Sequence, residues 1–326
     1  MAYFPDELLK CVAFVGYKNG NGTYQLAGSG FWVSRPGPED IRDVYRPAYF
    51  VTAKHVVEKI QKESSDAQVW LRVNTKADGQ TWVGTPLACW ITHPDDESVD
   101  LAILKIGIDG SFDHVTWPLE SCVLKDSLDV ATTGDRMVEL GDELCFAGLF
   151  YPHKGERRNI PIVRIGNVAA LRTEPVLSKD GVPMDVYLVE SRSIGGLSGS
   201  PVFIDIITAK TVRPPSHGFF APAYPANSPA RFKLFGVIHG HFGDDLESDA
   251  IVNDGKQRIG VNFGIAMVIP AEKINEVLKQ FAETERLEEA DARRGRSFVV
   301  TENLNTPNVT VQIYSSPTSK ASKNSN

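Results

Sequence analysis

The stretch SIGGLSGSPVF, Ser193 to Phe203, allows two interpretations that imply different kinds of protein. It holds three glycines and three serines directly before an apolar segment, a composition that is common in flexible loops. Glycines also let the backbone bend sharply, so that N–H groups lie beside a serine hydroxyl and can stabilise an oxyanion there. The second interpretation requires a base elsewhere in the chain and a group that orients the base.

Composition narrows the class of protein. The chain has 326 residues, of which 42% are hydrophobic and 23% charged, as expected for one large or two small globular domains. A net charge of -7 without any basic run argues against a nucleic-acid partner. We find neither a membrane span nor the features of a secretory signal, and therefore expect no membrane partner and a cytoplasmic location.

Metal and cofactor sites are not indicated. The cysteines stand singly without a C-x-x-C pair, and we expect buried free thiols at Cys11, Cys89, Cys122 and Cys145. One group resembles a metal cluster, namely His239, His241, Asp244 and Asp245. Nothing else supports a site there, so a surface turn is the favoured interpretation. We expect no metal and no cofactor.

The chain is predicted to be all-β. From about residue 9 to residue 270, short apolar or alternating runs such as CVAFVGY and KLFGVIHG are separated by Gly, Pro, Asn and Asp. This pattern favours a barrel or a sandwich, and two six-stranded halves would account for the number of runs. A helix is predicted after Pro270, with one apolar face formed by Ile274, Val277, Leu278 and Phe281. A second short helix is predicted to begin at His55.

Two other segments supply the groups that a reactive serine needs. YFVTAKHVV is an apolar strand with His55 just beyond its end, and ESVDLAILKI places Asp100 at the start of another apolar strand. Taken singly, each is more often a capping or turn residue. In the order His, Asp, Ser along one chain, the three segments are far more specific.

These segments resemble the trypsin-like (chymotrypsin-fold) serine peptidases. The matching motifs are T-A-x-H at Thr52 to His55, D-L-A-I-L at Asp100 to Leu104 and G-x-S-G-S-P at Gly196 to Pro201. The segments GSGFWVS, GDELCFAGLF and GVNFGIAMVIP are similar to the bacterial branch that includes the HtrA-type and glutamyl endopeptidases. The resemblance covers roughly residues 8 to 285.

The resemblance implies a fold and a set of roles. The fold would be two six-stranded antiparallel β-barrels, about 8–120 and 121–270, with the active site between them. A closing helix at about 271–292 and a partly disordered tail at 301–326 would follow. Ser198 would be the nucleophile, His55 the general base and Asp100 the residue that fixes the histidine tautomer. The N–H groups of Gly196 and Ser198 would form the oxyanion hole.

Regulation is expected to differ from that of some relatives. Leu197 stands where secreted digestive members carry the aspartate that pairs with a new N-terminus, so we expect no activation by N-terminal processing. We also expect no regulation through a C-terminal PDZ domain. The insertion TVRPPSHGFFAPAYPANSPAR, Thr211 to Arg231, could be a lid at the cleft or a surface that docks a partner.

Substrate preference allows two hypotheses. By the resemblance, Arg192 and His239 would lie in the substrate pocket and would favour an acidic side chain before the cleaved bond. Alternatively, Arg192 points outward toward Glu190 and His239 packs behind the three catalytic groups, since a slip of one residue inverts side-chain direction in a strand.

Three functions remain open at the level of sequence. The first is an active serine endopeptidase acting on a protein or peptide substrate. The second is a catalytically silent scaffold of the same fold that binds proteins, and the third is a peptidase that an activating partner switches on. All three groups of the catalytic set are present in the sequence, which favours the first.

Overall fold

The structure is a computed structural model, and it describes residues 4–121, 138–178, 181–191, 196–205, 231–241 and 264–294. Several sequence predictions lie outside these ranges: Cys122, Arg192, residues 211–230 of the insertion, Asp244, Asp245 and the tail at 301–326. They stay predictions.

The N-terminal half is built on one sheet. Its strands are β1 (Val12–Lys18), β2 (Tyr24–Ser34), β3 (Ala48–Thr52), β4 (Gln68–Thr75), β5 (Gly79–Pro86), β6 (Ile91–Thr92), β7 (Ala102–Lys105) and β8 (Trp117–Pro118). They pair in the order β5-β4-β1-β2-β3-β7-β6, and β8 joins the side of β2. Strands β3 and β7 are buried along their whole length, which explains why both are uninterrupted apolar runs.

The C-terminal half is a closed barrel. Its strands are β9 (Glu143–Gly148), β10 (Ile162–Ala170), β13 (Tyr187–Glu190), β14 (Pro201–Asp205), β15 (Phe232–His241) and β16 (Ile265–Pro270). They close in the order β10-β13-β16-β15-β14-β9. A small separate hairpin pairs β11 (Val176–Leu177) with β12 (Pro183–Met184). Closure leaves this part of the chain with few exposed edges, since every barrel strand has two neighbours.

The described part of the chain also forms four α-helices. They are α1 (Asp6–Lys10), α2 (Lys54–Glu63), α3 (Glu272–Leu278) and α4 (Ala282–Arg293). Short 3-10 turns lie at Glu39–Ile41, Leu87–Cys89, Leu119–Ser121, Tyr151–His153 and Lys279–Phe281, the last of which joins α3 to α4. Among the described residues, no helix is long and apolar enough to cross a membrane.

The two halves share a core. One cluster of buried side chains draws on both, with Phe31 and Val33 from the first half and Phe203 and Met267 from the second. Trp117 crosses between them, because its ring packs edge-on against Phe203 at 4.7 Å between centroids. Burial of each such side chain contributes about 1.5–3 kcal/mol. This shared core joins the two halves of the molecule.

Helix α4 ties the end of the described chain back to the first half. Three ion pairs join it to N-terminal residues: Arg35 with Glu285 at 3.1 Å, Lys105 with Glu288 at 2.6 Å, and Asp40 with Arg293 at 2.7 Å. The hydroxyl of Tyr49 also donates to the Glu285 carboxylate. The predicted closing segment thus holds the two halves together.

The fold prediction is confirmed in class and differs in detail. The chain is all-β, and the second half has the predicted six-stranded barrel. The first half has eight strands where six were predicted, with β5 and β6 at the two ends of its pairing order. Two of the extra strands, β6 and β8, are only two residues long, too short for a sequence pattern to reveal.

The predicted helices are present with different bounds, and the described cysteines are buried. The predicted helix at 271–292 is present as two helices, because a 3-10 turn at Lys279–Phe281 buries Phe281 against the ring of Tyr49. The short helix near His55 begins at Lys54. Cys11, Cys89 and Cys145 are buried, as predicted, and form no disulfide among the described residues.

Candidate active site

His55 lies in the first turn of α2, just after β3. The early N–H groups of a helix have no partner inside it. The N–H of His55 donates to Asp100 Oδ1 at 2.8 Å, so the carboxylate caps the helix and lies at its positive end. The ring binds the same carboxylate, because His55 Nδ1 lies 2.7 Å from Asp100 Oδ2. Asp100 therefore holds both the backbone and the ring of His55.

Asp100 lies directly before β7 and is 7% exposed. Burial by itself raises the pKa of this carboxyl group, but the charge of His55 and hydrogen bonds from His239 and His55 outweigh it. The net effect holds the pKa of Asp100 well below its usual range. The group is therefore an ionised acceptor at neutral pH, and each ring nitrogen that touches it must be a donor.

Ser198 lies in a tight turn that leads into β14. Its carbonyl accepts from the N–H of Ser29 at 2.9 Å, and the N–H of Gly199 donates to the Ile238 carbonyl at 2.8 Å. Gly196 and Gly199 have φ of +104° and +81°, values that favour glycine. A Cβ at Gly199 would also collide with the Ser29 carbonyl. Both halves of the chain thus fix the position of this turn.

Ser29 is a positioning residue that the sequence interpretation missed. Its Oγ donates to the Gly196 carbonyl at 2.9 Å and accepts from the Leu149 N–H at 2.8 Å. Its own carbonyl accepts from Thr52 Oγ1 at 2.7 Å. The available signal was the flanking pair Gly28 and Gly30, since a Cβ at Gly28 would lie only 3.0 Å from the Ser198 carbonyl.

One cavity brings the predicted groups together. It has a volume of about 460 Å³ and is lined by His55, Asp100, Ser198 and His239. The remaining lining comes from both halves: Lys54, Glu58, Glu97 and Ser98 on one side, and Ser178, Val182, Met184, Gly240 and Met267 on the other. Gly196, the other predicted oxyanion donor, belongs to the same turn as Ser198. The site therefore lies between the halves, where the sequence placed it.

His239 contacts Asp100 and also lines the cavity. It lies on β15, and its Nδ1 contacts Asp100 Oδ2 at 2.5 Å while the side chain lines the cavity. The ring stands edge-on to His55, with 5.2 Å between centroids. Its predicted partner Arg192 lies outside the described residues, so the acidic pocket stays a prediction.

His55, Asp100 and His239 also have the donor atoms of a metal site, all within 4.8 Å of one another. Zinc bonds of about 2.0–2.1 Å in tetrahedral geometry keep neighbouring ligand atoms about 3.3 Å apart. Asp100 Oδ2 instead lies 2.7 Å and 2.5 Å from the two Nδ1 atoms, which are hydrogen-bond lengths. The three groups are therefore arranged for hydrogen bonding to one another.

Comparison with known proteins gives similarity in structure only. No protein-family model matches the chain, and neither does any curated protein. The protease domain of MamO from Magnetospirillum magneticum is 13% identical, with 82% of this chain and 96% of that chain covered and a TM-score of 0.47. Deg5 is 15% identical, with 85% and 90% covered and a TM-score of 0.44.

A third similar structure is the HtrA-type protease AlgW with a decapeptide, which is 15% identical, with 86% of this chain and 66% of that chain covered and a TM-score of 0.45. With identities of 15% or less and TM-scores below 0.5, these similarities carry no argument about the family or the activity of the chain.

Proposed function

We propose that this chain is a serine endopeptidase that hydrolyses peptide bonds through an acyl-enzyme intermediate. The observation that carries the proposal is the double contact of Asp100 with His55, at 2.8 Å to the backbone N–H and 2.7 Å to the ring, in a cavity that Ser198 also lines. A histidine held by both backbone and ring to an ionised carboxylate has one tautomer and one orientation.

The mechanism follows from that tautomer. Nδ1 of His55 carries the proton that it donates to Asp100, which leaves Nε2 as the acceptor for the hydroxyl proton of Ser198. Ser198 Oγ forms a bond to the substrate carbonyl carbon, and the carbonyl π electrons move to oxygen. His55 then gives its proton to the leaving amine as the C–N bond breaks. Water repeats the sequence on the acyl-enzyme and releases the acid.

The oxyanion of this reaction would be stabilised by the N–H groups of Gly196 and Ser198. The left-handed backbone at Gly196 supports the assignment, because it lets two N–H groups of one short turn point to the same side. Ser29 holds the Gly196 carbonyl, which fixes the orientation of the peptide unit that follows.

The proposal is tested by labelling with a fluorophosphonate probe. The intact chain should be labelled, and Ser198→Ala should abolish labelling. Ser200→Ala is the matched control: Ser200 lies two residues away in the same turn, is fully buried, and has no hydrogen-bond partner for its Oγ among the described residues. Equal labelling of the intact chain and Ser198→Ala would refute the assignment of Ser198 as the nucleophile.

The alternatives predict other outcomes of the same experiment. A catalytically silent scaffold would show no labelling of any correctly folded form. A peptidase that depends on a partner would be labelled only after cell lysate or peptide is added, and still only at Ser198.

We further propose a preference for an acidic residue before the cleaved bond. Its support is the position of His239 in the cavity that holds Ser198, together with the sequence position of Arg192. Nδ1 of His239 donates to Asp100, so the contact with a substrate carboxylate would come from Nε2–H of the protonated ring. A panel of fluorogenic peptides that differ only at this residue should favour Glu or Asp. A preference for Ala, Val or Arg would overturn this part alone.

A further inference from the structure

The carboxylate of Asp100 receives hydrogen bonds from two histidine rings. Oδ2 accepts from Nδ1 of His55 at 2.7 Å and from Nδ1 of His239 at 2.5 Å, while Oδ1 accepts the backbone N–H of His55. The two histidines come from opposite halves of the molecule, α2 and β15. Asp100 is thus held from both sides of the cleft.

The protonation states of these groups follow from the chemistry. An ionised carboxylate can only accept, so both rings carry a proton on Nδ1. Nε2 is then an acceptor in a neutral ring and a donor in a protonated ring. A second donor on Oδ2 fixes the rotation of the Asp100 carboxylate, which His55 alone could pull toward itself. It also draws part of the negative charge of Asp100 away from His55.

We propose that His239 is a positioning residue of the catalytic set, which acts through Asp100 on the orientation and the basicity of His55. The inference rests on the proposed function and deepens it. A residue that only contacts substrate would need its cavity-facing nitrogen and would have no use for the bond to Asp100.

The charged surroundings set the direction of the effect. His239 faces Asp100 and His55 directly, and Lys54, Glu58 and Glu97 line the same cavity. The single negative charge of Asp100 is shared by two rings. Its attraction for a proton on His55 is therefore weaker than it would be for one ring alone. Removing His239 should raise the pKa of His55. The loss of activity on the acid side of the pH–activity profile should then occur at higher pH.

The test uses His239→Ala and His239→Asn in the full chain. Asparagine retains an N–H donor without an ionisable ring. Alanine should lower kcat about tenfold, the cost of one hydrogen bond to a charged group, for peptides with and without an acidic residue before the cleaved bond. Asparagine should recover most of kcat. His93→Ala is the matched control, because His93 pairs with Glu276 at 3.0 Å away from the cavity, and it should leave kcat as it is.

A second readout does not require activity. NMR titration of the histidine rings, made in the Ser198→Ala background, should give His55 a higher pKa when His239 is alanine than when it is present. An unchanged His55 titration with a raised KM, or a changed residue preference at constant kcat, would overturn the positioning role and leave a substrate contact. Failure of the probe to label the intact chain would refute the proposed function, while the titration would still decide the link between the two rings.

Discussion

Replacing Ser29 with alanine should loosen the nucleophile turn while leaving the side chains of His55, Asp100 and Ser198 in the chain. Ser29 is fully buried on β2, and its Oγ joins the Gly196 carbonyl to the Leu149 N–H. Leu149 is also fully buried, so its N–H has no access to water after the change. Gly196 is only partly buried, and its carbonyl can be rehydrated.

The magnitude follows from these two environments. A buried donor left without a partner costs about 1–3 kcal/mol, and a hydrogen bond that water replaces costs about 0.5–1.5 kcal/mol. We therefore expect Ser29→Ala to lower the free energy of unfolding by about 1.5–4.5 kcal/mol. The freed Gly196 peptide should also slow fluorophosphonate labelling, because the oxyanion donors lose their fixed orientation.

Ser34→Ala separates the two effects. Ser34 is fully buried on the same strand and has two side-chain partners, Arg46 Nε and Thr116 Oγ1, both at 2.9 Å. It should lose comparable stability in urea unfolding and retain the labelling rate of the wild type. If Ser29→Ala unfolds at the wild-type urea concentration, or if both variants slow labelling equally, the bridging role assigned to Ser29 is wrong.

Three further changes test the fold around the site. Gly199→Ala should prevent accumulation of folded protein, measured by circular dichroism, because φ is +81° and the new Cβ would meet the Ser29 carbonyl. Glu285→Ala should lower the melting temperature by several degrees, since it leaves the buried Tyr49 hydroxyl without its acceptor. The pKa of Asp100 is lower in the folded protein than in the unfolded chain, where it is about 3.9. This difference stabilises the fold at pH values above about 3.9, and the stabilisation is lost as the pH falls toward the pKa of the folded state. Urea unfolding should therefore show a smaller loss of stability below pH 4 for Asp100→Asn than for the wild type.

Local patterns in the sequence predicted the parts of the site that depend on neighbouring residues. His55 and Asp100 each follow or precede a buried apolar strand, and strand ends can be located from apolar runs alone. The two strands, β3 and β7, are neighbours in the sheet. That pairing brings the two residues together without any further information.

Contacts between distant segments could not be predicted in this way. Ser29 and Gly196 are separated by 167 residues, and His239 and Asp100 by 139. Whether His239 faces the cavity or the carboxylate depends on the register of β15. That register shifts between Ile238 and Gly240 against β16, a bulge that alternation in the sequence does not reveal.

The docking of α4 has a consequence for the order of events during synthesis. Lys105 is almost fully buried, and its partner Glu288 is translated 183 residues later. At 5–20 residues per second this takes about 10–40 s. Until then the first half holds His55 and Asp100 but lacks the helix that pairs with Lys105. A nascent chain that has just exposed Ser198 is therefore still without the α4 contacts. We expect any activity at this site to arise only once α4 has left the ribosome and docked.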